Sequence, residues 1–146
     1  MIRILHGLDL APWVLKRIPV MHRFGPNVCI GVGDDERLLA AAVYYQYDGY
    51  NMQMAFATDS PKAITRMVLR ELLGYPFHIA GCGRVTNFVE ATNVRSIRLT
   101  EGVGFKREGL IRRGYRNGND AIVYGLLPED AERWIGKVRT DHAAAA

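Results

Sequence analysis

Alternating apolar and polar positions dominate the chain from Val28 onward. VCIGVG and LLAAAVYYQY are apolar runs separated by the acidic segment DDER, a pattern that is typical of a β-hairpin. Asp48-Gly49 is a second turn signal, and the segment YNMQMAFAT after it alternates as a third strand. We expect Met54 on one face of that strand and Ala55 on the other.

Helical spacing predicts four helices, over residues 10–18, 61–74, 93–103 and 128–138. In the second helix Ser60 is a suitable N-cap, and Pro61 occupies the first position, where its missing N–H costs nothing. Gly74 and Pro76 are expected to end this helix. Its apolar face comprises Ile64, Met67, Val68, Leu69 and Leu72.

Three further strands are predicted in the second half of the chain. RVTNFVEAT alternates as one strand, and residues 105–116 and 120–127 form two more, joined at Asn117-Gly118, a strong hairpin signal. The order is helix, three strands, helix, strand, helix, two strands and a short last helix. This order predicts an α+β or α/β domain, with a mixed sheet covered by helices on both faces.

The composition fits one globular domain. The chain has 146 residues, of which 49% are hydrophobic and 23% charged, as in ordinary folded domains. We expect a single domain over residues 1–142 and a frayed alanine tail over residues 143–146. Two cysteines without a CxxC pair exclude a zinc ribbon or a disulfide scaffold.

Charge and hydropathy limit the partners. The net charge is +4, and KREGLIRRGYR at residues 106–116 carries five basic residues, which suits an anionic ligand or a nucleic acid. No apolar run approaches the roughly 20 residues of a membrane span, and the N-terminal residues do not resemble a secretory signal. We therefore expect a cytoplasmic protein without a membrane partner. The four histidines show no metal-ligand spacing, so no metal is expected.

The predicted helix start at Pro61 is a candidate phosphate site. Helix N-termini expose unpaired N–H groups and the positive end of the helix dipole. Lys62 lies in the first turn, where a cation opposes the dipole unless an anion lies nearby. The alternative is that Lys62 is simply solvated.

One further pattern covers residues 50–127. Its spacing, N-x-x-S followed by G-F-x-x-E-G-x-x-R, resembles that of the GNAT superfamily of acetyl-coenzyme A-dependent N-acetyltransferases. It is most similar to the branch that acetylates the N-termini of ribosomal proteins. The residues that carry the resemblance are Asn93, Ser96, Leu99, Gly104, Phe105, Glu108, Gly109, Arg112, Asp120 and Tyr124.

The resemblance implies a GNAT-like fold, with a mixed, mostly antiparallel twisted sheet and helices on both faces. It implies acetyl-coenzyme A as co-substrate, no metal, and direct acetyl transfer to a primary amine on a protein N-terminus or a small molecule. By the same resemblance, the third strand and Asn93 bind the pantetheine arm, and residues 60–66 hold the pyrophosphate. The implied coenzyme-binding residues are Phe56, Ala57, Thr58, Ser60, Lys62, Ala63, Ile64, Thr65, Arg66, Asn93 and Ser96.

The chain also departs from the family pattern. The phosphate loop contains no glycine, and the tyrosine that serves the family as an acid is replaced by Thr100. No carboxylate stands at the start of the third strand, where the family often has its base. Glu90, Thr100 and Tyr124 are therefore the catalytic candidates. The alternatives are a coenzyme-binding module without turnover and a nucleic-acid-associated protein of the same fold. The sequence carries no signal for oligomeric state.

Overall fold

A computed structural model of the protein describes residues 1–138, so the predicted alanine tail lies outside the described residues. The molecule is built on a seven-stranded sheet with the order β1-β2-β3-β4-β5-β7-β6. All neighbouring strands are antiparallel except β4 and β5, which are parallel. The strands are β1 (Arg3–His6), β2 (Asn27–Gly33), β3 (Leu38–Tyr45), β4 (Asn51–Thr58), β5 (Arg84–Glu90), β6 (Lys106–Ile111) and β7 (Ala121–Leu126).

Helices cover both faces of this sheet. One apolar cluster joins one face to α2, α3 and α4, and a second cluster joins the opposite face to α1. The predicted mixed, mostly antiparallel sheet with helices on both faces is therefore confirmed. The helices are α1 (Ala11–Leu15), α2 (Arg66–Gly74), α3 (Val94–Val103) and α4 (Pro128–Ile135).

Side-chain alternation along β4 sorts residues between the two clusters. Met54 lies in the cluster with α2, α3 and α4, whereas Ala55 lies in the cluster with α1, as the period of two predicts. On β3, Tyr44 is buried against α2, and its hydroxyl donates to the Leu72 carbonyl at 2.6 Å. This bond satisfies a phenol that is otherwise costly to bury.

The first strand is absent from the sequence prediction. β1 pairs with β2 from Arg3↔Gly33 to His6↔Ile30. Four residues are too few to display a clear alternation, and their strand conformation comes from pairing with β2. The first predicted helix is also shorter than expected, since α1 ends at Leu15.

The helix predicted from Pro61 begins instead at Arg66. Residues Pro61–Ala63 form a single 3-10 turn, which is capped by the Ser60 hydroxyl. Ile64 then leaves helical geometry, with φ −91° and ψ 78°, and Thr65 caps α2 by accepting a bond from the Val68 N–H at 3.2 Å. The expected phosphate-binding helix start therefore lies five residues further along the chain. Met67, which the helical spacing places on the buried face, is 37% exposed.

α2 ends at Gly74, as predicted, but the chain keeps a helical conformation through Pro76. A π-helical turn, Tyr75–Ile79, follows α2 directly, and the Ala80 N–H donates to the Tyr75 carbonyl at 2.9 Å. Proline removes one N–H donor, and a wider turn is one way to continue the chain around it.

The hairpin between β6 and β7 has a longer connection than predicted. β6 ends at Ile111, and residues 112–120 form a loop that contains Asn117-Gly118 at its tip. Within this loop the Tyr115 N–H donates to the Asn119 carbonyl at 3.1 Å, and the Gly118 N–H donates to the Tyr115 carbonyl at 2.9 Å. The loop is thus a compact, internally bonded structure.

Helix α4 closes over the C-terminal end of α3. The Trp134 indole N–H donates to the Val103 carbonyl at 2.8 Å, and the Arg133 guanidinium donates to the Gly102 carbonyl. These bonds satisfy carbonyls that a helix end otherwise leaves unpaired. Gly104 follows with φ +128° and turns the chain into β6.

Candidate functional site

A gap opens in the sheet between its two parallel strands. β4 and β5 pair only through Asn51↔Arg84, Met52↔Val85 and Gln53↔Thr86. Beyond Gln53 and Thr86 the strands separate, so the facing edges of both strands lack a strand partner. Backbone N–H and C=O groups are strong hydrogen-bonding groups, and these edges can therefore bind an extended ligand.

The gap belongs to a cleft with about 760 Å³ of empty space, which includes open solvent at its mouth. Its walls come from the separated strands, from α2 and α3, and from the segments around Ile18 and Tyr115. Most of the lining is apolar, with a few polar side chains toward α3 and the end of β5. The main lining residues are Met54, Phe56, Ile64, Leu69, Leu72, Asn87, Val89, Glu90, Asn93, Ser96, Leu99 and Thr100.

The predicted coenzyme-binding residues fall into two groups. Phe56, Ile64, Asn93 and Ser96 line the cleft. The others are not among the residues that line it and lie at the end of β4 and in the segment that leads to α2. Those residues are Ala57, Thr58, Ser60, Lys62, Ala63, Thr65 and Arg66.

Hydrogen bonds within the segment after β4 occupy most of its N–H groups. The Lys62 N–H donates to the Ser60 hydroxyl at 3.2 Å, and the Ala63 N–H donates to the Ser60 carbonyl at 3.1 Å. The Ile64 N–H donates to the Pro61 carbonyl at 3.1 Å. These amides are therefore not free to bind an anion in this conformation.

The start of α2 offers the free donors instead. Among the described residues, the Arg66 and Met67 N–H groups have no hydrogen-bond acceptor, as is usual in the first turn of a helix. The Arg66 side chain points away to α4, where it donates to the Arg133 carbonyl at 2.8 Å. Exposed Lys62 is the nearest preceding cation in the sequence. This helix start can bind a phosphate through its backbone.

The start of α3 is capped by a residue that lines the cleft. The Asn93 side-chain oxygen accepts a bond from the Ser96 N–H at 3.1 Å, which is the usual role of an asparagine N-cap. Its amide Nδ2 has no hydrogen-bond acceptor among the described residues. The cap therefore fixes the side chain and leaves an N–H donor for a ligand in the cleft.

The catalytic candidates lie in different environments. Thr100 is 7% exposed and lines the cleft. Glu90 also lines the cleft, where its Oε2 accepts bonds from the side-chain amides of Asn117 at 2.6 Å and Asn119 at 2.7 Å. These bonds fasten the loop between β6 and β7 to the end of β5.

Tyr124 does not line the cleft. Its hydroxyl donates to the Glu101 carboxylate at 2.6 Å, and Arg107 donates to the same carboxylate oxygen at 3.1 Å. Burial raises the pKa of the Tyr124 phenol, and the bond to Glu101 raises that pKa further. The same bond, with help from Arg107, lowers the pKa of Glu101. Tyr124 therefore forms a contact between β7 and α3 rather than lining the cleft.

Comparisons with known proteins identify which known fold the chain resembles. No protein-family model and no curated protein matches the sequence. Among solved structures, a candidate acetyltransferase from T. thermophilus has a TM-score of 0.69 and 20% identity, with 91% of each chain covered. A mutant form of the spermidine/spermine N-acetyltransferase from Vibrio cholerae has a TM-score of 0.61 and 18% identity, with 73% of this chain and 70% of that chain covered.

A GNAT-family acetyltransferase from Bacillus anthracis is also similar, with a TM-score of 0.59 and 20% identity over 69% of this chain and 66% of that chain. The chain has the GNAT fold. It spans 64%, 70% and 72% of the length of three of the most similar structures. The predicted fold is confirmed, whereas the branch that acetylates ribosomal proteins is not shown.

Several residues of the GNAT-fold cleft are not singled out by the sequence. Phe88 and Tyr115 line it, and Pro19 contributes from the segment after α1. The sequence pattern assigns Tyr115 to a strand, and its place in the cleft depends on how the loop folds over β5. The Asn-Gly-Asn sequence at the loop tip is the one sequence feature that points to this position, because its asparagine side chains donate to Glu90 at the cleft.

The cysteines lie outside this site. Burial raises the pKa of the Cys82 thiol to about 11, and burial is also the main cause of the raised pKa of Cys29. Both thiols are therefore poor nucleophiles near neutral pH. Residues 1–138 contain no group of three or more His, Cys, Asp or Glu side chains placed to hold a metal ion. In the same residues, no helix has the length and apolar character to cross a bilayer.

Proposed function

We propose that the protein transfers an acetyl group from acetyl-coenzyme A to a primary amine, with the pantetheine arm of the coenzyme in the cleft. The observation that carries this proposal is the separation of β4 from β5 beyond Gln53 and Thr86. It leaves two unpaired strand edges facing each other across an apolar-lined cleft. A linear ligand with amide groups can pair with such an edge as an added strand does.

The two helix starts fit the polar parts of the coenzyme. The free N–H groups of Arg66 and Met67 are suited to the pyrophosphate. The Asn93 amide Nδ2 is suited to a carbonyl of the pantetheine arm. This arrangement differs from a glycine-rich phosphate loop, because the 3-10 turn at Pro61–Ala63 uses its own N–H groups internally.

The chemistry requires a neutral amine, which attacks the thioester carbonyl. A C–N bond forms, the C–S bond breaks, the amine loses a proton, and the coenzyme leaves as a thiol. A free thiol has a pKa of about 8.5, so a thiolate can leave without a strong acid beside it. The Thr100 hydroxyl is a poor acid, and we therefore assign most of the rate to positioning of the two substrates.

The acceptor is proposed to be a small-molecule amine rather than a protein N-terminus. The similarity to spermidine N-acetyltransferases supports a small amine. A module that binds the coenzyme without turnover is the alternative. It is favoured by the threonine at position 100 and by the amide, instead of a carboxylate, at Gln53.

Acetyl-coenzyme A is expected to raise the melting temperature and to be consumed in the presence of an amine. A ligand at 100 times its dissociation constant stabilises the folded state by about 2.7 kcal/mol, which for a domain of this size raises Tm by about 5–10 °C. Differential scanning fluorimetry measures the shift, and free thiol reports turnover. NAD⁺, which has a pyrophosphate but no pantetheine, is the control ligand. No shift with acetyl-coenzyme A would overturn the proposed function, and a shift without thiol release from a broad amine panel would favour the module without turnover.

Asn93→Asp is expected to weaken coenzyme binding about 10-fold while leaving stability nearly unchanged. Aspartate is as good an N-cap as asparagine, so the bond from the Ser96 N–H is retained. The variant lacks the amide donor, however, and losing one hydrogen bond to a buried partner costs about 1–2 kcal/mol. Isothermal titration calorimetry measures the dissociation constant. An unchanged value would restrict Asn93 to its capping role.

A further inference from the structure

The side chain of Arg66 joins the start of α2 to α4. Its guanidinium donates to the Arg133 carbonyl at 2.8 Å. The guanidinium carbon Cζ lies 5.5 Å from the centre of the Trp134 ring, within the range of a cation–π contact. Arg66 is the first residue of α2, so α4 contacts the same helix turn whose free N–H groups are proposed to bind the pyrophosphate.

The same two residues of α4 also bond the end of α3. The Trp134 indole N–H donates to the Val103 carbonyl at 2.8 Å, and the Arg133 guanidinium donates to the Gly102 carbonyl. That guanidinium also lies over the Trp134 ring, with its Cζ 4.4 Å from the ring centre. Val103 lines the cleft, so α4 is bonded to the helix that begins with the Asn93 cap.

α4 is the hydrogen-bonded connection between α2 and α3. Within residues 1–138, no hydrogen bond or ion pair runs directly from one of these helices to the other. Both helices pack on one apolar cluster, but apolar contact is not directional, whereas a hydrogen bond is. The end of α4 also accepts a bond from the turn after α2, since His78 Nε2 lies 2.9 Å from the Ile135 carbonyl oxygen. These bonds therefore fix how α2 and α3 lie relative to each other.

One coenzyme molecule would contact both helices at once. Its pyrophosphate would bind the N–H groups of Arg66 and Met67, and its pantetheine arm would bind Asn93. A ligand gains from two such contacts only if their separation matches the span of the ligand. We propose that Arg66 and Trp134 are positioning residues, which set this separation through α4 without contacting the coenzyme. The proposal rests on the proposed coenzyme site.

Direct contact with the pyrophosphate is the other role open to an arginine at this position. The Arg66 guanidinium is already engaged, however, by the Arg133 carbonyl and the Trp134 ring. Moving it to a phosphate would break both contacts. Its charge is also favoured where it lies, because the carbonyls in the last turn of α4 are the negative end of that helix dipole. The two roles differ in what they require of Trp134, since only positioning depends on its ring.

Calorimetric titration with coenzyme A and with pantetheine, which lacks the pyrophosphate, separates the two roles. Arg66→Met removes the guanidinium of an exposed residue, and Trp134→Phe removes the indole N–H while keeping a ring in the apolar cluster. Each variant should bind coenzyme A about 5–10-fold more weakly and pantetheine within about 2-fold of the wild-type protein. The double variant should bind coenzyme A no more than about 10-fold more weakly, because both residues act through one contact. In steady-state assays KM for acetyl-coenzyme A should rise with kcat nearly constant.

Arg70→Met is the matched control. Arg70 is exposed one turn further along α2, and its side chain has no hydrogen bond or ion pair among the described residues. The substitution changes the charge of the helix as Arg66→Met does, and coenzyme A should bind within about 2-fold of the wild-type protein. A loss equal to that of Arg66→Met would indicate a general effect of charge and overturn the positioning role.

Three other results would also overturn it. A loss in Arg66→Met without one in Trp134→Phe would mean that Arg66 itself contacts the phosphate. Additive losses in the double variant would mean that the two residues act independently. Equal losses for coenzyme A and pantetheine would mean that the cleft is damaged. Failure of the wild-type protein to bind coenzyme A is a separate result, which would overturn the proposed function itself.

Discussion

Gly104→Ala is expected to destabilise the protein by about 3 kcal/mol. Gly104 has φ +128°, a conformation that residues with a Cβ rarely adopt. A Cβ at this position would also lie 2.8 Å from the Asp130 carbonyl oxygen in α4, and backbone cannot move aside as a flexible side chain can. Chemical denaturation, followed by circular dichroism, measures the free energy of unfolding.

Gly102→Ala is the matched control, only two residues away. Gly102 lies within α3, its φ is not positive, and nothing lies within 4 Å of an added Cβ. Alanine in a helix interior is more favourable than glycine by about 0.5–1 kcal/mol, so this variant should be slightly more stable. Similar losses of stability in both variants would contradict the strain argued for Gly104. They would indicate instead that any substitution at the end of α3 destabilises the protein.

The second large effect is expected from Thr65→Asp. Aspartate preserves the N-cap of α2, so the helix should remain intact. Its charge, however, would lie beside the N–H groups proposed to hold the pyrophosphate. Repulsion between like charges a few ångströms apart near a protein surface should weaken coenzyme binding by about 2 kcal/mol, or about 30-fold. Calorimetric titration with coenzyme A measures this loss.

Thr65→Asn separates the effect of the aspartate charge from the effect of its side-chain size. Asparagine has the size of aspartate and is an equally good N-cap, but it is neutral. It should bind the coenzyme within about 3-fold of the wild-type protein. If Thr65→Asp binds as tightly as Thr65→Asn, the pyrophosphate lies elsewhere and the start of α2 is not its site.

The sequence predicts six of the seven strands and all four helices in the right order, because most of these elements are long enough to show their period. It misplaces the start of α2 because two cap signals stand close together. Ser60 and Thr65 both cap a helical turn, and local preference cannot say which of them begins the longer helix. The answer depends on the non-helical backbone at Ile64, which brings its side chain to the cleft.

The candidate site is less visible in the sequence than the fold. The resemblance to GNAT proteins marks Asn93 and Ser96, which line the cleft. The separation of β4 from β5 leaves no local pattern, because it concerns two strands that are distant in the sequence. The location of Tyr115 is likewise set by bonds from its loop to Glu90. The sequence pattern instead predicts a strand over residues 105–116, which would not place Tyr115 in the cleft.

The closure of α4 over the end of α3 has a consequence for folding during synthesis. The bonds to the Gly102 and Val103 carbonyls come from Arg133 and Trp134, which are translated about thirty residues later. Until these residues leave the ribosome, the carbonyls at the end of α3 have only water as a partner, and the helix that carries Asn93 and Thr100 is held mainly by the sheet. A nascent chain arrested before Trp134 should therefore expose α3 to proteases, and the cleft should form only after α4 has been released.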